Sequence, residues 1–181
     1  AYKKSKNAVL QYLAPSKLWC GIQYLLWRTG ADISPFRAVM TLFYAQAFSL
    51  GLHDSALFLE ECDLGDAGEI PYAGLYEQLK QNIGRRPIET EGLLTTQERY
   101  FLDAAYEVLL WYGPAEIKAV FSVERRYIRT GRTGTGSRKM KNEPIAVYFR
   151  KIVQGYKISK PEEFHKYFAE RTGRKRRKAR E

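Results

Sequence analysis

The stretch from Ser34 to Gly51 constrains the fold more than any other part of the chain. Ser34 suits an N-cap, Pro35 suits the first helical position, and Gly51 is a natural stop. Between them Phe36, Val39, Met40, Phe43, Ala47 and Leu50 recur at helical spacing. A helix this apolar predicts a largely buried element, around which the other segments must pack.

Those other segments are mostly helical by the same criteria. Residues 2–13 read as a short helix ended by Pro15. Ser16 caps a second, from Lys17 to Thr29, whose face of Leu18, Ile22, Leu25 and Leu26 is widened by Trp19 and Trp27 and which Gly30 ends. Leu57 to Cys62 reads as a short strand, and Gly65 and Gly68 as a turn. Pro71 opens a helix through Gln81, and residues 82–94 read as a loop. Thr95 and Glu98 have the spacing of a capping box, in front of a helix to Tyr112 that points Phe101, Ala105, Val108, Leu109 and Tyr112 inward. Pro114 starts a shorter helix to about Ser122, and Val123 to Ile128 reads as a second strand. Arg129 to Asn142, rich in Gly, Thr and basic residues, predicts a mobile basic loop. Pro144 opens a helix with Ile145, Tyr148, Phe149 and Ile152 in phase, stopped by Gly155. Ser159 and Pro161 begin the last helix, with an aromatic stripe of Phe164, Tyr167 and Phe168, and Gly173 separates it from the tail. The expected fold is mainly α: one compact helical domain over residues 1–170 with a small two-stranded β element, then a basic tail at 171–181.

Charge is strongly segregated along the chain, whose net charge is +10. Seven basic residues (Arg125, Arg126, Arg129, Arg132, Arg138, Lys139 and Lys141) follow one another with no acid between them. The tail holds seven more, including Arg174, Lys175, Arg176, Arg177 and Lys178, against Glu181 alone. Residues 54–77 hold seven acids and no Lys or Arg, among them Glu60, Glu61, Asp63, Asp66 and Glu69. Basic clusters attract phosphates or acidic protein surfaces. The alternative is that these segments are solvated, or pair with one another inside the molecule.

Catalytic signals are weak. The Gly131 to Lys139 stretch resembles a phosphate loop only in glycine content, because Lys139 is followed by Met140 rather than by Ser or Thr opening a helix. His53 sits beyond a helix end, and His165 is expected on the exposed side of the last helix; neither neighbours a Cys or Ser in a nucleophilic arrangement. Cys20 and Cys62 are too few for a disulfide scaffold or a cysteine-only zinc site. No apolar run is long enough to span a bilayer, and the first residues lack the apolar stretch of a secretory signal. The expectation is a cytoplasmic protein that is not an enzyme and needs no cofactor or metal. Of the thirteen tyrosines, Tyr12, Tyr24 and Tyr106 read as helix-core edges with their hydroxyls at the surface.

The run Val39-Met-Thr-Leu-Phe-Tyr-Ala-Gln-Ala-Phe-Ser-Leu resembles the "LLYYAQ" helix of the Panacea domain family, with Tyr44 and Gln46 in the motif. Leu57-Phe-Leu-Glu resembles the short extended segment that follows there. Pro71 and Tyr76, in Gly68-Glu-Ile-Pro-Tyr-Ala-Gly-Leu-Tyr, stand in the places of the family's "P-x-x-Y" helix. Leu94-Thr-Thr-Gln-Glu-Arg-Tyr-Phe-Leu-Asp and Tyr112-Gly113 resemble its later helix start and turn. The resemblance covers roughly residues 20–150. Asp63-Leu-Gly-Asp-Ala-Gly-Glu replaces the family's Trp-x-Tyr-Gly-Pro, and the loop after Arg129 and the basic tail fall outside the common pattern.

The resemblance implies an antitoxin that neutralises a cognate toxin by direct protein–protein binding. Among the family's partners are nucleotide-transferring toxins that modify transfer RNA, some relatives deliver the toxin to a protease, and phages also carry the domain. An acidic segment suits a toxin with a basic RNA groove, which places the toxin contact at Glu60, Glu61, Asp63, Asp66, Glu69, Tyr72 and Tyr76. The alternative is a phage or mobile-element protein that binds nucleic acid or ribosomes through Arg125 to Lys141 and the tail. No helix has the Arg/Lys spacing of a recognition helix, so such binding is expected to be phosphate-driven. Oligomeric state is open.

Overall fold

The computed structural model describes residues 16–81, 91–128, 130–132 and 138–173. The helix expected at 2–13 with Tyr12, most of the 82–94 loop, Arg129, the glycine-threonine stretch 133–137 and the tail from Arg174 lie outside the described residues.

The element order is α1 (Lys17–Arg28), α2 (Pro35–His53), β1 (Cys62–Asp63), α3 (Ala73–Gln81), a 3-10 turn (Glu91–Leu93), α4 (Thr96–Leu110), α5 (Pro114–Tyr127), β2 (Thr130–Arg132), β3 (Arg138–Met140), α6 (Asn142–Tyr156), a 3-10 turn (Pro161–Phe164) and α7 (His165–Thr172). The architecture is mainly helical with a small antiparallel sheet, as the sequence implies. The sheet has three strands rather than two, in the order β1-β3-β2. Among the described residues no helix is long and apolar enough to cross a membrane.

Helix α2 forms the hub, packed by α1, α3, α4, α5 and α6. From Ala38 to Gly51 every residue is buried. Ser34 Oγ accepts the Arg37 N–H at its start, as expected of the cap. Its lower half faces an aromatic cluster of Phe43, Tyr44, Phe48, Phe149, Phe164, Tyr167 and Phe168, in which Phe48 and Phe164 stack at 3.9 Å. Aromatic pairs of this kind add to the burial of their area. Arg37 ties α2 to the end of α4 by donating to the carbonyls of Leu109 (2.7 Å) and Tyr112 (3.0 Å); the Leu109 carbonyl also accepts the Tyr112 N–H at 3.1 Å. The expected capping box holds: Glu98 N–H donates to Thr95 Oγ1 and Thr95 N–H to Glu98 Oε1.

Several expectations are corrected. Gly51 and Gly155 do not stop their helices, which run on to His53 and Tyr156; the left-handed residues Asp54 (φ 54°) and Lys157 (φ 55°) end them instead. Trp27 does not join the core face of α1 and is about half exposed. Helix α3 starts at Ala73 rather than Pro71, because Tyr72 is left-handed at φ 51°. Helix α4 ends at Leu110, although Tyr112 is buried as expected. The strand read at Val123 to Ile128 is the last part of α5. Ile117, Val120, Phe121, Glu124 and Ile128 are its buried phase, and a carboxylate at a core position hid the helical period. The strand read at Leu57 to Cys62 shrinks to Cys62–Asp63. Part of the stretch read as a mobile loop is sheet: β2 and β3 lie within it. Cys62 pairs with Met140, Asp63 with Lys139, and Thr130 with Met140.

Candidate functional site

Between α2 and β1 the chain runs through bends at Asp54, Leu57 and Glu60 without a strand partner, so its backbone groups need another answer. Gln46, buried in the middle of α2, supplies it. Its Oε1 accepts the N–H groups of Leu57 (2.7 Å) and Phe58 (3.0 Å), and its Nε2 donates to the Phe58 carbonyl (2.8 Å) and to Asn142 Oδ1 (3.1 Å). One amide side chain thus stands in for a neighbouring strand. It fixes the segment that leads into the acids.

From there burial alternates. Phe58 and Cys62 point inward, while Leu59 is 90% exposed and Glu61 is exposed beside it. Beyond β1 the chain turns through the left-handed Gly65 (φ 67°) and Gly68 (φ 68°), with Asp63 Oδ1 accepting the Gly65 N–H at 2.9 Å. Asp66 and Glu69 are exposed on this turn. Glu60 is half-buried, and one of its carboxylate oxygens is buried without a partner among the described residues.

The structure brings the central acidic and basic segments together. Lys139 lies opposite Asp63 across the β1–β3 pair and reaches Glu61 at 3.8 Å. Lys118 reaches Glu69 at 3.7 Å. Arg125 turns inward, donates to the Gly68 carbonyl and lies over the Phe121 ring. Arg138 packs at Gly68, where a methyl would come within 3.3 Å of its Cδ. Pairing within the molecule, one of the two plain readings of the charge pattern, therefore accounts for several of these residues. Arg126 and Lys141 stay exposed. Of Arg132 the backbone is placed, in β2; the side chains of Arg129 and Arg132, like the tail with Arg174, Lys175, Arg176, Arg177 and Lys178, are outside the described residues. Lys139 lies on a strand and not at a helix start, as the rejection of a phosphate loop requires.

Two residues expected at the toxin contact belong to the core instead. Tyr72 is 4% exposed, its hydroxyl buried without a partner among the described residues. Tyr76 is half-buried against the core, with Lys80 Nζ 4.7 Å above its ring. Tyr72 is drawn in because the left-handed backbone at its own position turns its ring toward Phe58. Of the residues that carry the resemblance, Tyr44, Gln46 and Pro71 are buried.

His165 is half-buried rather than free, its Nδ1 3.2 Å from the Tyr112 hydroxyl. Tyr24 is buried and donates to Asp103 (2.7 Å), and Tyr106 lies under Arg28. Both cysteines are buried. Burial pushes the Cys20 thiol up and the Cys62 thiol up to about 12. Neither is expected to react with a chromogenic disulfide reagent in the native protein, and both should react in urea. Rapid labelling of either under native conditions would contradict this burial. Among the described residues no group of three or more His, Cys, Asp or Glu side chains is placed to hold a metal ion.

Sequence reasoning missed Glu124. It is completely buried on α5, accepting hydrogen bonds from the hydroxyls of Tyr44 and Tyr167. Its helical phase with Val120, Phe121 and Ile128 was the signal available.

No family model, curated protein or solved structure matches the chain.

Proposed function

We propose that this protein is an antitoxin of the Panacea type that neutralises its toxin by direct contact, using the surface that carries Leu59, Glu61, Asp66 and Glu69. The observation that carries the reading is Leu59. A leucine 90% exposed, on a segment held by the Gln46 amide and followed by exposed acids, has the composition of an apolar anchor beside a charged rim. The exposed acids suit a partner with a basic surface. The Glu61–Lys139 and Glu69–Lys118 pairs do not preclude this. Both are long and largely solvated, so each is worth about 1 kcal/mol or less, and a partner's cation can replace the lysine.

The alternative, nucleic-acid binding through the Arg125 to Lys141 segment, is less well supported. A phosphate approaching Lys139 meets Glu61 within 4 Å, and Arg125 is committed to the Gly68 carbonyl.

The test is a variant combining Leu59→Ser, Glu61→Ser, Asp66→Ser and Glu69→Ser. All four residues are exposed, so the fold is expected to survive. Affinity for the cognate toxin should fall at least tenfold, and protection of toxin-expressing cells should be lost. Wild-type binding and protection by a folded variant would overturn the proposed surface.

A further inference from the structure

Helix α5 carries Glu124 at a position fit for a leucine, and the surrounding helices answer it with neutral donors. The Tyr44 hydroxyl, from α2, donates to Oε2, and the Tyr167 hydroxyl, from α7, donates to Oε1. No salt bridge to Glu124 is formed among the described residues. Arg171 on α7, whose charge acts on Glu124, lies over the Tyr167 ring, 5.4 Å from its centroid. Tyr148, on α6, places its hydroxyl 3.4 Å from that of Tyr167 and is itself half-buried. Tyr156, whose ring packs on Tyr167, and Glu170, to which Tyr156 hydrogen-bonds, complete the titratable groups on that side; Tyr127, at the end of α5, is exposed.

This arrangement accommodates two proton states. With the carboxyl ionised, both phenols donate to it and Tyr148 can donate to Tyr167. With the carboxyl protonated, its O–H can donate to the Tyr167 oxygen and Tyr167 can donate to Tyr148. The hydroxyls then reverse direction without a heavy atom moving. The proton is taken from solvent, which the half-buried Tyr148 meets.

We propose that Glu124 is a buried proton-binding site whose occupancy sets how firmly helix α7 is held against the domain. The inference does not depend on the toxin reading. Burial outweighs the two phenol hydrogen bonds and pushes the carboxyl up from 4.5 to about 7, while burial next to this acid keeps the Tyr44 and Tyr167 hydroxyls protonated. The folded protein therefore holds the proton to higher pH than the unfolded chain does. The stabilisation is complete below about pH 4.5, declines as pH rises to about 7, and is lost above that.

The test is native-state hydrogen exchange of α7 at pH 6 and pH 8, corrected for intrinsic rates, in the wild type and in Glu124→Gln. The variant keeps an acceptor for the phenols and cannot titrate. It also retains His165, so any titration of that ring appears in both proteins. The opening constant of α7 should rise about tenfold between the two pH values in the wild type and much less in the variant. Equal changes in both proteins, or none in the wild type, would overturn the proposal. Should the variant fail to fold, a 13C titration of the Glu124 carboxyl in the wild type decides. A midpoint near 7 supports the proposal, and an ordinary carboxylate midpoint overturns it.

Discussion

Replacing Gln46 with alanine should cost about 4 kcal/mol of folding stability, the largest effect expected of any single polar side chain here. The substitution removes two donated and two accepted hydrogen bonds at once. It leaves the N–H groups of Leu57 and Phe58 and the Phe58 carbonyl in a buried setting without partners, and each such group costs roughly 1–3 kcal/mol. Water entering the gap recovers part of this, which sets the estimate near the lower end of the sum. Against the roughly 5–15 kcal/mol that holds an ordinary domain together, the loss is severe. Gln46→Glu should be intermediate, because a carboxylate accepts from both N–H groups but cannot donate to the Phe58 carbonyl. Urea unfolding followed by circular dichroism measures both. A loss below about 1 kcal/mol for Gln46→Ala would mean that the segment between α2 and β1 has other support. On the proposed antitoxin reading, toxin binding should weaken in parallel, since the same amide positions the chain that presents Leu59.

The second large effect concerns a single methyl group. Gly51→Ala would place a carbon 2.9 Å from Phe149 Cβ, 3.0 Å from its carbonyl carbon and 3.1 Å from its carbonyl oxygen. Two of these atoms are backbone, so α2 and α6 must separate where they touch. In an open helix the same change helps by up to about 1 kcal/mol. Here overpacking should dominate, with a net loss of about 2 kcal/mol. Gly155, near the end of α6, has nothing within 4 Å of the added methyl, so Gly155→Ala should raise stability slightly. The two variants should therefore shift the thermal midpoint in opposite directions. A rise in the midpoint for Gly51→Ala would show that Gly51 is not a packing residue.

The sequence made the helices legible because their signals are local. Ser34, Pro35 and the Thr95/Glu98 box are satisfied within one turn of the chain, and the apolar phase of α2 reflects burial on every side. A small sheet was legible, but its strand bounds and its third strand were not, because the strands are two or three residues long and exist through pairing between residues as distant in sequence as Cys62 and Met140. The end of α5 is hidden from local pattern for a different reason. Glu124 is buried by hydrogen bonds from helices far along the chain, and no local pattern announces a carboxylate in a core. The candidate site residues divide in the same way. Glu61, Asp66 and Glu69 are exposed as their charge implies, but Tyr72 is folded into the core by a left-handed backbone that composition does not reveal. Gln46 entered through a family resemblance alone; its work for Leu57 and Phe58 is visible only once the two segments meet.

The most direct test of the account is co-expression of the tagged protein with the product of the adjacent gene, followed by capture after nuclease digestion. An antitoxin is expected to yield a stable stoichiometric complex with a small protein that is lethal when expressed alone, and to restore growth on co-expression. Recovery of only ribosomes or nucleic acid, lost on digestion or at high salt, would contradict it and move the function to the basic segments.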